Sequence, residues 1–259
     1  MTADMYGLFD LANPVFDAID SVLLNFLPDT LRLVLWALVA ASASMALYWL
    51  LSPQKKITDA AEHVRAQRVQ LSQYDGDFDG LPPLAIGLLR ASFWHFGLIL
   101  GPALGASLPV LFLLSWASLT FGYIPPEQGG TMELVITPAD AAPVQNWPGS
   151  PVPEKGRQIF TWPDASRPLV MIDNSGLEVA RLPFAHPVAI LHKRQWWNFL
   201  FENPNGYIDD NSSVEQIDFE LTPRHFLELG PIWARGWEFI FFASLVIASL
   251  AIKFIFRIR

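Results

Sequence analysis

Five histidines, His63, His95, His186, His192 and His225, are the side chains of this 259-residue chain best suited to ligating a metal or moving a proton near neutral pH. Their spacing supports neither role. A zinc helix needs two histidines four apart with a glutamate beside the first, and no pair here has that pattern. His186 and His192 are six apart, which on a strand places them on one face about 20 Å from each other, too far to share an ion. There is no Gly-rich phosphate loop, no Gly-x-Ser-x-Gly elbow and no Walker pattern, since Gly101 to Gly105 lies in an apolar stretch without lysine. No nucleophile is matched with a base. The sequence therefore nominates no catalytic residue, no cofactor site and no metal site, and it does not read as an enzyme. Asp75, Asp77, Asp79 and Gly80 do match the first half of an EF-hand calcium loop. The second half fails, with Ile86 where the bidentate glutamate belongs and Pro82-Pro83 stiffening the wrap, so an acidic turn is favoured over calcium. With no cysteine there is neither a disulfide nor a thiolate site. A net charge of −8 argues against nucleic acid as a partner, because phosphate binding needs a basic face.

What stands out instead is charge placed at the edges of apolar runs, where burying it costs at least a few kcal/mol. Arg32, Arg90 and Glu238 are the cases. Each is close enough to an interface for its side chain to snorkel to water, or else it faces a polar groove between helices.

The elements that position these charges are membrane spans. The chain is 52% hydrophobic and 16% charged, against about 25% charged in soluble domains. Leu31 to Leu51 is a run of 21 residues with Arg32 as its one charge, long enough at about 1.5 Å per residue to cross a core of about 30 Å. Trp36, Tyr48 and Trp49 sit toward its ends, where such rings favour the headgroups. A second apolar stretch, Ala91 to Tyr123, exceeds one span, and Gly101-Pro102 and Pro109 interrupt it. The second span is placed at 99–123, after an amphipathic approach over Leu81 to Phe96 that skims the cytoplasmic surface and bends at Gly101-Pro102. The third runs from Trp233 to Ile255 and ends in a basic tail with Lys253, Arg257 and Arg259. Small residues, Ala40 to Ser44 in the first span and Gly101, Gly105, Ala106 and Ser107 in the second, suit close helix packing.

Lysine and arginine orient the spans. The first 30 residues contain neither but include Asp4, Asp10, Asp17, Asp20 and Asp29, whereas Lys55, Lys56, Arg65, Arg68 and Arg90 follow the first span. The N-terminus is expected outside, 52–98 in the cytoplasm, 124–232 outside and the C-terminus inside, in a bacterial inner membrane. The first apolar run lacks a basic n-region and is too long for a signal-peptide core, so it reads as a span.

Between the spans, Ser52-Pro53 is a helix start, with Ser to cap and Pro at the first position. Gln54 to Gln73 then forms a helix whose Ile57, Val64 and Leu71 fall seven apart, either a coiled-coil seam wanting one partner or a connector on the membrane surface. Met5 to Leu27 suits an amphipathic helix on the outer face. From 124 to 232 the grammar is that of strands: Met132–Ile136, Gln158–Trp162, Leu169–Ile172 joined to Leu177–Leu182 through Asp173-Asn174-Ser175-Gly176, Pro187–Leu191 and Gln216–Leu221. The expected fold is thus an α-helical membrane protein with three transmembrane helices and a cytoplasmic helical segment, plus an extracytoplasmic all-β, sandwich-like domain.

One span, a cytoplasmic helical segment opening Ser52-Pro53-Gln54-Lys55-Lys56-Ile57, and two further spans, the first through Leu98-Ile99-Leu100-Gly101-Pro102-Ala103-Leu104-Gly105, resemble the three-helix core of the Oxa/YidC insertase superfamily. The resemblance covers 31–123 and 233–259 and rests on topology. It implies a hydrophilic groove open to cytoplasm and lipid, with Arg32 as its positive residue, Arg90, Gln67 and Glu238 as further groove or client contacts, and the cytoplasmic helix catching client transmembrane segments. The domain at 124–232 departs from the family, which has a short external loop there.

Two functions follow. One is an insertase-like or membrane-protein-biogenesis factor working in lipid without covalent chemistry. The other is a non-catalytic accessory or scaffold subunit of a membrane complex, docking through Trp147, Trp162, Trp196 and Trp197, since tryptophan is enriched at binding hot spots. A membrane enzyme or transporter is disfavoured, because the spans carry no paired ionisable groups.

Overall fold

The computed structural model of the protein describes residues 7–139, 156–173 and 175–256. It contains three long apolar helices and a small antiparallel sheet region. The helices are α1 (Asn13–Leu23), α2 (Asp29–Leu51), α3 (Gln54–Ser72), α4 (Leu81–Phe121) and α5 (Trp237–Phe256). By length and composition α2, α4 and α5 are each able to cross a membrane. The chain divides into two compact units, one of residues 1–33 and 114–240, the other of residues 34–113 and 241–259.

The first unit holds the strands, β1 (Thr131–Thr137), β2 (Arg157–Thr161), β3 (Leu169–Ile172), β4 (Glu178–Leu182), β5 (Ile190–His192) and β6 (Gln216–Phe219). Four form one sheet in the order β2-β1-β6-β5, and β3 and β4 form a second, all pairs antiparallel. β1 is central because it is paired on both sides, Leu134 facing Gln158 on β2 and Phe219 on β6. Alternation then sends every second residue inward. Leu134, Ile136, Phe160, Ile217 and Phe219 of the larger sheet share a core with Met171, Val179 and Leu182 of the smaller one. Trp162 packs edge-on against Phe184 within that core, so it supports the domain and offers no docking surface. Strand β5 starts three residues later than expected: Pro187 has no N–H to donate, and the Val188 N–H turns to the His186 carbonyl at 2.9 Å.

The hairpin between β3 and β4 is closed by Asp173. Its Oδ1 accepts from the Ser175 N–H (2.9 Å), the Ser175 hydroxyl (2.6 Å) and the Leu177 N–H (3.0 Å). Its Oδ2 accepts from the Ser212 hydroxyl at 2.8 Å, which ties the turn to a distant loop. Burial, the largest influence, pushes this carboxyl up, but the four hydrogen bonds from Ser175, Ser212 and Leu177 outweigh it and hold the pKa at about 2. Gly176 takes φ +84°, the left-handed turn position that glycine occupies without strain. Asn174, the other half of the expected turn signal, is outside the described residues.

The first unit also contains one end of each of the three long helices: α2 as far as Leu33, α4 from Leu114 and α5 as far as Ile240. The second unit contains the rest of them together with α3. There Trp36, Ala37, Ala40 and Ala41 are buried along one face of α2, as the small residues of that run require for close approach. A Cβ on Gly105 of α4 would lie 2.5 Å from a terminal methyl of Leu51, so a larger residue there would make that side chain shift. Gly101, by contrast, faces open space.

Two details differ from expectation. Helix α4 is one element of 41 residues, continuous through Pro102 and Pro109, where a surface helix bending at Gly101-Pro102 was expected. Each proline removes a single ladder bond, which a long apolar helix with 39 other residues tolerates, and Pro82-Pro83 sit in the first turn, where no ladder bond is lost. Second, α3 starts at Gln54 with Pro53 as its N-cap, and no side chain caps it: the buried Ser52 hydroxyl has no hydrogen-bond partner among the described residues. Along the seam of α3, Ile57 and Ala60 are buried while Val64 and Leu71 are half-buried.

Candidate functional site

The polar feature that the fold assembles most completely lies in the first unit and is built around the N-terminal helix. Pro14 in its first turn suits a helix start. At 3.6 residues per turn, Val15, Ile19 and Val22 line one side of α1 and Asp20 points the other way. Asp20 is the residue of α1 that the protein buries, while Asp17 stays exposed. Asp20 and Asp10 are buried, whereas Leu11, Val15, Ile19 and Val22 are exposed. An amphipathic helix on a membrane face was expected over Met5 to Leu27, and the apolar side of α1 is the exposed one.

Each carboxylate is bonded, and Asp20 and Asp29 share Arg32. Asp20 grips Arg32 in two-point fashion, Oδ1 to Nε at 3.2 Å and Oδ2 to Nη2 at 2.8 Å, with side chains 9% and 4% exposed. Arg32 also reaches Asp29 at 3.2 Å, and its guanidinium lies 5.2 Å from the centre of the Phe121 ring. Asp29, in the first turn of α2 where a negative charge favours the helix dipole, accepts from Arg224 at 2.6 Å. Asp17 accepts the indole N–H of Trp116 at 2.7 Å. Asp10 accepts a short hydrogen bond from the Ser115 hydroxyl and another from the Glu202 N–H at 2.6 Å. The result is an alternating chain, Asp20, Arg32, Asp29, Arg224, beside two hydrogen-bonded aspartates. Asp10, Asp17, Trp116, Thr120, His186 and Glu202 line a neighbouring cavity of about 400 Å³.

Chemically this arrangement neutralises and fastens. Among the described residues no group of three or more His, Asp or Glu is placed to hold a metal ion, and the Asp75–Asp79 turn is no exception. His192 turns its Nδ1 to the Lys193 carbonyl at 2.6 Å and rests against Trp197 and Tyr207.

The residues singled out from sequence are divided between the two units. Arg32 is buried and ion-paired, so it reaches carboxylates and not water, which corrects the snorkelling account. Glu238 is exposed in the first turn of α5, folded back toward Gly236. Both belong to the first unit, while Gln67 and Arg90 belong to the second. Gln67 is half-buried, its Oε1 only 3.0 Å from where a Cβ on Gly87 would stand, so α3 and α4 approach closely there. Arg90 is exposed. Of the tryptophans, Trp196 is 82% exposed and Trp197 partly so. Trp147 lies outside the described residues, as do Arg257 and Arg259. The second unit has an open groove of about 630 Å³ lined by Ser42, Met45, Ala46, Trp49, Ile252 and Phe256, six residues without a charge.

Sequence reasoning missed Asp20, Ser115, Trp116 and Arg224. Asp29, three residues before Arg32, carried a readable signal, because that spacing pairs side chains on a helix. No protein family, curated protein or solved structure matches the chain.

Proposed function

We propose that this chain is a non-catalytic accessory or scaffold subunit of a membrane complex. Its three long helices cross the bilayer, with the β unit and N-terminus outside, α3 and the C-terminus in the cytoplasm, and the membrane is a bacterial inner one. The observation that carries the reading is that Arg32 is spent on Asp20 and Asp29 inside the first unit. A groove that eases a polar flank through lipid needs an unsatisfied charge or wet polar surface, and the groove of the second unit is apolar. The outer ends of α2, α4 and α5 all belong to the β unit, which supports placing that unit on one side of the bilayer. Trp196 and Phe199, exposed on a short helical turn of the β unit, supply the docking residues. Native gel electrophoresis of mildly solubilised membranes tests this. The intact chain is expected in a larger assembly, and Trp196→Ala with Phe199→Ala is expected to release it. Migration as a free subunit in both cases refutes the reading.

The same open groove favours a second reading, the insertase-like one, since it has room for an apolar client segment. A photocrosslinker at Met45 would then capture nascent single-span proteins. Unchanged insertion of those proteins in depleted membranes eliminates it.

A further inference from the structure

We infer that α1 is an in-plane lipid anchor, seated in the boundary between acyl chains and headgroups of the outer leaflet by apolar burial alone. The inference rests on the proposed crossing of the bilayer by α2. At about 100° per residue, Val15, Ile19 and Val22 of α1 fall within an arc of roughly 60°, and Leu11 and Phe26 flank the helix at its two ends. All five are exposed, Phe26 by 78%. A soluble surface helix turns such a stripe inward and its carboxylates outward, whereas α1 leaves the stripe exposed and buries Asp20 on Arg32, with the exposed Asp17 bonded to Trp116.

The position of the stripe identifies its occupant. Only Leu24–Pro28 separates α1 from α2, five residues that span at most about 18 Å. The Asp20–Arg32 pair fastens α1 to the first turn of α2, the level at which that helix leaves hydrocarbon. The other two long helices are flanked in the same way. Ile124 follows α4, and Leu229, Ile232 and Trp233 precede α5, all exposed. Exposed apolar surface thus gathers where the chain enters its spans, the habit of interfacial residues.

Charge specifies the lipid further. Interfacial helices commonly carry Lys and Arg for anionic headgroups, but the first 30 residues contain none. Zwitterionic lipid is therefore sufficient, and neither added anionic lipid nor salt strengthens the seat.

Because the chain has no cysteine, a nitroxide can be placed at one position at a time. Val15→Cys is compared with Val246→Cys in α5 and Ser213→Cys on the β unit, each in the full-length protein in phosphatidylcholine nanodiscs. Collision with oxygen, which concentrates in lipid, is measured against collision with a water-soluble nickel chelate. The oxygen-to-chelate ratio at 15 is expected to exceed that at 213 by about tenfold and to stay constant with phosphatidylglycerol or high salt. A ratio at 15 like that at 213, with 246 in lipid, overturns the anchor and leaves the spans standing. Chelate access at both 15 and 246 refutes the spans and the anchor together. Shielding of 15 from both reagents means that protein, such as a second copy, covers the stripe, and this too overturns the inference.

Discussion

Arg32 shows how one buried charge constrains its surroundings. Its side chain is 4% exposed and depends on Asp20, itself 9% exposed, and on the more open Asp29. Removing one partner of such a pair leaves an uncompensated charge and costs about 3–5 kcal/mol, whereas replacing both with apolar residues is often neutral. Asp20→Ala, which leaves Arg32 with Asp29 alone, is therefore expected to lower stability by about 3 kcal/mol, the low end of that range, in denaturant titrations followed by tryptophan fluorescence, and Asp20→Leu with Arg32→Met to restore most of it. Asp173 makes a pH prediction. Its folded pKa of about 2 lies below the ordinary 3.8, so its contribution is complete above pH 4 and is lost as pH falls toward 2. Acid titration of the intact chain should lose stability in that window, and Asp173→Asn should flatten the slope there. An equal slope in the variant assigns the acid sensitivity elsewhere. Arg32 was conspicuous in the sequence because it interrupts an apolar run. Its principal partner was not, because Asp20 meets it only after the chain reverses through Leu24–Pro28.

Elements were legible where local chemistry repeats. Alternation over Met132–Ile136 and Gln216–Leu221 and the turn at Asp173–Gly176 marked strands that the fold contains, while their pairing, with β1 between β2 and β6, depends on contacts distant in sequence. Alternation also sets the cost of mutation. Leu134 of β1 is fully buried and Ile159 of β2 is half exposed. Leu134→Ala is expected to cost about 2–5 kcal/mol and Ile159→Ala under about 0.5. Comparable losses in thermal melts of the two variants would mean that the sheet faces are not distinguished as described. The prolines of α4 were over-read as breaks. Propensity is a weak prior against the ladder bonds that remain in a helix of 41 residues, about 60 Å at 1.5 Å each and twice a hydrocarbon core.

At the scale of the whole molecule the decisive quantity is sidedness. The ends of α2, α4 and α5 that belong to the β unit are an N-terminal, a C-terminal and an N-terminal end, as alternating crossings require. In sealed vesicles a membrane-impermeant thiol reagent is expected to modify Thr30→Cys and Ser213→Cys from one side and Glu62→Cys from the other. Modification of all three from the same side would remove the three-crossing arrangement.

The alternating Asp20, Arg32, Asp29, Arg224 chain bears on electrical behaviour as well. Two negative and two positive groups sum to zero. A unit charge moved through a potential of 100 mV changes energy by about 2.3 kcal/mol, but a cluster that travels as a neutral whole exchanges almost nothing with that field. If the helices cross a bilayer as proposed, this paired set is expected to add no gating charge, so that a change of potential leaves the Arg32 anchorage undisturbed.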